Sequence, residues 1–63
     1  MRRSALLAEL KLIAEKKDLD LIRVRVGPNT ALYVLGTVQL TVPRRAEIND
    51  ITAARIIEEA SRA

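Results

Sequence analysis

Between residues 21 and 43 the chain reads LIRVRV, then GPN, TALYVL, GT and VQLTVP, and this stretch decides the fold. In residues 21–26, Ile22, Val24 and Val26 alternate with Arg23 and Arg25, the period of a half-buried strand. Gly27-Pro28-Asn29 is a turn cluster. Residues 30–35 form a second apolar strand, and Gly36-Thr37 makes a tight connection. Val38, Leu40 and Val42 then alternate with Thr37, Gln39 and Thr41 in a third strand that Pro43 ends. Three consecutive hairpin-linked strands make an antiparallel sheet, and one of its faces has to be covered.

The cover comes from the flanks. Residues 4–17 read as a helix, with Ser4 as N-cap and Leu6, Leu10, Ile13 and Ala14 as an apolar stripe that Leu7 and Leu12 broaden. Lys16 and Lys17 suit its C-terminal end. A second helix starts at Asn49, with Asp50 in its first turn and Ile48 placed to act as a hydrophobic staple. Its stripe is Ala53, Ala54, Ile56, Ile57 and Ala60, leaving Arg55, Glu58 and Glu59 outward. The expected architecture is α+β, an α-β-β-β-α order with a three-stranded antiparallel sheet and both helices on one face. The other face is expected to carry Arg23, Arg25, Gln39 and Thr41. That is the layout of double-stranded-RNA-binding-like domains, spanning residues 1–63 as a single unit.

Composition narrows the functional classes. With no Cys and no His among 63 residues, disulfides, zinc fingers and His-based metal sites are excluded, and no cofactor is expected. No apolar run approaches the ~20 residues of a membrane helix. Met1-Arg2-Arg3 before Ser4-Ala5-Leu6-Leu7 has the order of a secretory leader, but Glu9 and Lys11 break it at once. A cytoplasmic location is expected. Net charge is +3, from 11 Lys and Arg against 8 Asp and Glu, which favours a polyanionic partner.

The run Val38-Gln39-Leu40-Thr41-Val42-Pro43-Arg44-Arg45-Ala46-Glu47-Ile48-Asn49-Asp50-Ile51-Thr52-Ala53 resembles the end of a HicA-family toxin, and small phage-encoded members come close to it. There a strand ends in Val-Pro-Arg-His, followed by Glu-Ile, a short polar cap and a terminal helix. The preceding helix and strands match the same pattern. The resemblance implies a type II toxin–antitoxin component, an mRNA interferase homologue that cleaves without cofactor and is silenced by a HicB-type antitoxin. It also implies a catalytic His early in the second strand, after a Gly-rich turn. In this chain that position is Thr30, or Asn29 if the register slips by one, and the His that often follows Pro-Arg is Arg45.

The chemistry follows from these replacements. Cleavage by transesterification needs the 2′-hydroxyl deprotonated and the leaving oxygen protonated, work that suits a group titrating near neutrality. Thr30 and Asn29 do not titrate there, and Arg44 and Arg45 stay protonated. Tyr33, Glu47 and Asp50 are the remaining acid–base groups nearby. No catalytic residue is assigned, and cleavage is expected to be impaired.

Binding fares better. Arg44 and Arg45 precede the helix that Asn49 caps, and two guanidinium groups beside a helix N-terminus suit a phosphate, so Arg44, Arg45 and Asn49 are the first candidates for nucleic-acid contact. The plainer alternative is that both arginines are solvated, or pair with Glu47 and Asp50. Arg23 and Arg25 are candidates for a second backbone contact or a partner's acidic groove, or simply guard an edge strand by charge. Tyr33, the one aromatic residue, is expected to be partly buried with its hydroxyl at the edge, and Arg2 and Arg3 to form a mobile arm. The expected partner is RNA, with a HicB-like antitoxin, another protein or a second copy as further candidates. The readings are an RNA-binding HicA-like protein, an active endonuclease with atypical groups, and a protein-interaction module such as an antitoxin decoy.

Overall fold

Local sequence rules account for each element of the computed structural model, which describes residues 1–63. Helix α1 spans Arg3–Lys16, strands β1, β2 and β3 span Leu21–Val26, Thr30–Leu35 and Val38–Pro43, and helix α2 spans Asp50–Ser61. The sheet order is β1-β2-β3, antiparallel throughout, as consecutive hairpins dictate. Buried side chains on the two helices and on one face of β2 and β3 join a single core. The fold is therefore α+β, with both helices on one sheet face.

The pairing Tyr33↔Leu40 and Ala31↔Val42 fixes the covered face. Against it pack Leu6, Leu10 and Ala14 of α1 and Ala53, Ile56 and Ala60 of α2. Leu6, Leu10, Leu35, Leu40 and Val42 are fully enclosed, and burying each contributes roughly 1.5–3 kcal/mol. Ile48 and Ala53, the positions of the hydrophobic staple around Asn49, are both buried. Leu12 and Ala54 are exposed instead of joining the stripes, because each points away from the sheet.

Ser4 does not cap α1. The cap position is Arg2, which makes no side-chain bond to the helix. Its work is done at long range: the Arg3 N–H donates to the Ala46 carbonyl at 2.8 Å, and Arg2 forms a β-bridge with Glu47. The Met1 carbonyl accepts from the Ile48 N–H at 2.7 Å. Residues 1–3 are thus held against residues 46–48 and do not form a mobile arm.

The other end of α1 closes with Asp18 at φ +56, its N–H donating to the Glu15 carbonyl and the Leu19 N–H to the Ala14 carbonyl. These two bonds are those of a Schellman motif, with Asp18 at the left-handed position glycine usually fills. Gly36 opens the two-residue β2–β3 loop at φ +61, the backbone a hairpin of this length requires.

Strand β1 departs from simple alternation. Arg23 pairs with Tyr33 but Arg25 pairs with Leu32, so a bulge at Val24 shifts the register by one residue. Arg23 therefore lies on the helix side with Tyr33, and Arg25 lies on the open side with Leu32. The expectation that both arginines share the outer face, opposite an inward Ile22, Val24 and Val26, holds after the bulge, where Arg25 faces out and Val26 lies on the helix side opposite Ala31, and fails before it, where Arg23 faces in and Ile22 out beside Val34. Those three aliphatics are each about half exposed, at 53%, 53% and 50%. Gln39 and Thr41 do occupy the open face, beside Val34 and Leu32.

Candidate nucleic-acid-binding site

Two backbone turns meet at one end of the sheet. The β1–β2 turn is closed by the Gly27 N–H donating to the Thr30 carbonyl at 2.8 Å, with Pro28 and Asn29 at its tip. The loop leaving β3 runs alongside it, because Thr30 pairs with Pro43 and the Arg44 N–H donates to the Asn29 carbonyl at 3.0 Å. The Arg44 side chain then reaches back, and its Nη1 donates to the Gly27 carbonyl at 2.7 Å. Pro28, Asn29, Arg44 and Arg45 enclose a shallow hollow of about 210 Å³. Arg45 also borders a second hollow of about 260 Å³ at the start of α2, with Asn49 and Thr52.

Both arginines are exposed and neither lies within ion-pair distance of a carboxylate. Glu47 and Asp50 are engaged elsewhere: the Met1 amine donates to Glu47 Oε2 at 2.8 Å and to Asp50 Oδ1 at 2.9 Å. Hydrogen bonds from that amine to Glu47 first and Asp50 second raise its pKa above the ordinary value of 8.0. The pairing of Arg44 and Arg45 with Glu47 and Asp50 is therefore not what the structure contains.

The start of α2 is less open to an anion than its sequence suggests. The Asn49 side chain accepts from the Ile51 N–H at 2.8 Å, and the Asp50 and Glu47 carboxylates stand close to the same helix end. The positive charge that remains unopposed is on the turn side, around Asn29, Arg44 and Arg45.

Thr30 begins β2 on the open face, exposed, beside Pro43 and so next to this hollow. Arg25 shares the open face and lies two residues before Gly27. Arg23 is apart from them, on the helix side opposite Tyr33. Tyr33 is buried with its hydroxyl at the margin, accepting from Arg3 Nη2 at 3.4 Å. Arg3 Nε also donates to the Pro43 carbonyl at 3.1 Å, tying α1 to the end of β3. Nothing local in the sequence marks that role for Arg3, since its partners are 30 and 40 residues away.

Chemically the hollow offers one anchored and one free cation and a side-chain amide, with the Thr30 hydroxyl next to it. It can hold a phosphate, but it contains no group that titrates near neutrality to move a proton. No cluster of three or more His, Cys, Asp or Glu side chains is present to hold a metal ion. No helix is long and apolar enough to cross a membrane. No family model, curated protein or solved structure matches the chain.

Proposed function

We propose that this chain is a HicA-like RNA-binding protein of the cytoplasm, impaired in cleavage, that grips backbone phosphate between the Gly27–Thr30 turn and the Arg44–Arg45 loop. One observation carries the reading: two neighbouring guanidinium groups face the turn without a carboxylate partner, and one is fastened to it by the 2.7 Å bond to Gly27. An arginine pair free of carboxylates, one member of it anchored, suits a phosphate far better than a carboxylate-neutralised pair. RNA rather than DNA comes from the resemblance of residues 38–53 to HicA toxins, in which the Thr30 position carries the catalytic His. Thr30 beside the hollow supports the reading that substrate would lie where the proton-transfer group is missing.

The deciding experiment is fluorescence anisotropy of a labelled hairpin RNA over a salt series, with the double variant Arg44→Ala/Arg45→Ala beside the original protein. Two lost phosphate contacts flatten the log–log salt slope by about 1.5. An unchanged slope would overturn the proposal. Robust cleavage of the same RNA by the original protein at neutral pH, abolished by Arg44→Ala, would instead establish an endonuclease with atypical groups.

A further inference from the structure

Strand β1 is the least covered element of the fold. It is an edge strand, hydrogen-bonded to β2 on one side only. Between β1 and α1 runs an open groove of about 570 Å³, distinct from the Arg44–Arg45 hollow. Its floor is apolar, from Leu7, Ala8, Leu21 and the Tyr33 ring, and its charged lining residues, Lys11 and Arg23, are both cationic. Neither forms an ion pair, nor does Arg25 on the other side of the strand. A half-exposed aliphatic strand with a free edge, an apolar trough and unneutralised cations is an incomplete surface.

We propose that the free edge of β1 and this groove accept an extended segment of a partner protein, added as a fourth strand, that carries acidic residues flanked by aliphatic ones. The register fixes the pattern. Main-chain pairing supplies the edge, and alternate side chains of the added strand fall on opposite faces. Those on the helix side enter the groove near Lys11 and Arg23, and those on the other side lie beside Ile22 and Arg25. Because the bulge at Val24 sends Arg23 and Arg25 to opposite faces, a regular incoming strand reaches both only with carboxylates at an odd spacing, simplest at adjacent positions. The aliphatic neighbours of those carboxylates then meet Leu21, Ile22 and Val26.

Two other occupants fit less well. A second copy pairing through its own β1 would set Arg23 and Arg25 of each chain against the same residues of the other, and like charges on facing strands repel. Nucleic acid would meet an apolar floor whose one aromatic ring, Tyr33, is buried and offers no face on which to stack a base.

The test uses the full chain and a fluorescent octapeptide, TVVEEVVT, in an anisotropy titration. Expected are saturable binding, weaker binding of TVEVEVVT (carboxylates on one face) and none of TVVKKVVT. N-methylation of alternate amides of the first peptide, which spares its side chains, should abolish binding. Arg23→Glu/Arg25→Glu should cut affinity for the glutamate peptide about tenfold and confer binding of the lysine peptide, as charge complementarity requires. Arg44→Ala/Arg45→Ala should leave peptide binding intact, which separates this site from the proposed phosphate hollow. No binding of TVVEEVVT, or equal binding of the N-methylated form, would overturn the proposal. So would RNA displacing the peptide from the Arg44→Ala/Arg45→Ala variant, which would assign the groove to nucleic acid. A dimer in sedimentation that the peptide dissociates would assign it to a second copy.

Discussion

The Arg44 guanidinium donates to the Gly27 carbonyl oxygen at 2.7 Å, fastening the loop after β3 to the β1–β2 turn. Arg45, next in sequence, makes no such bond. The two arginines should therefore separate by variant. Arg44→Ala should weaken RNA binding and also lower stability by about 1 kcal/mol, the usual worth of a lost hydrogen bond. Arg45→Ala should weaken binding while staying within about 0.5 kcal/mol of the original stability. Urea melts paired with RNA titrations check both. Equal stability losses would mean that Arg45 also braces the loop.

Thr30 is exposed beside the same loop, so a larger side chain fits there without disturbing the core. Thr30→His is expected to fold normally and to gain RNA cleavage by roughly 10²–10⁴-fold, the usual contribution of a general acid–base group. Activity should be greatest near the imidazole's ordinary pKa of about 6.5. A gel-based cleavage assay from pH 5 to 8 reads this out, and an inert Thr30→His protein would sever the correspondence between Thr30 and the HicA histidine.

Asp18 sits at φ +56, and it also places a carboxylate at the negative end of α1. Both features work against it. Asp18→Gly should raise stability by about 0.5–1 kcal/mol through the freer backbone and the removed charge. Thermal unfolding followed by circular dichroism would detect a rise of several degrees, whereas a fall would show that the Asp18 side chain contributes a compensating interaction.

Gly36 makes the opposite case. Its φ of +61 disfavours any side chain, and an added Cβ would meet Leu19 Cδ1 at 3.0 Å. Gly36→Ala should cost about 1–3 kcal/mol. The same thermal melts measure it. A loss no larger than that of an exposed surface substitution would mean the hairpin relaxes freely.

The Met1 amine bridges Glu47 and Asp50, and its pKa is raised by them. A group whose folded pKa exceeds its unfolded value stabilises fully below the unfolded value and loses that contribution as pH rises through the folded one. The denaturation midpoint should therefore hold up to about pH 8 and decline above it, more steeply than in Glu47→Gln/Asp50→Asn. Parallel declines in the two proteins would show that the amine contributes nothing.

Strand boundaries were legible because local signals set them. LIRVRV and TALYVL are strands β1 and β2 over the same residues the alternation predicts, and Pro43 closes β3 as its missing N–H requires. The facing of β1 was not legible. Strict alternation puts Ile22, Val24 and Val26 inward, which holds only for Val26, and a bulge leaves no mark in a run of aliphatics and arginines. The start of α1 was not legible either, since Ser4 reads as a cap whereas the cap position is Arg2, held by residues 46 and 47. At the candidate site, the turn and the two arginines follow from short-range spacing. The clamp of Met1 on residues 47–50 does not, because segments more than forty residues apart carry no joint signature in sequence.

That long-range closure bears on the order of folding. The two hairpins join neighbours in sequence, whereas α1 and α2 lie on either side of the whole meander in the chain, and the bond from Lys17 Nζ, just past α1, to the Ala63 carbonyl, just past α2, spans 46 residues. Loop-closure entropy makes such contacts late. The expected transition state holds a formed meander with α1 undocked, so truncating Leu35 or Leu40 should slow refolding while truncating Leu6 should mainly speed unfolding. Stopped-flow chevrons would show the reverse if α1 and α2 docked first.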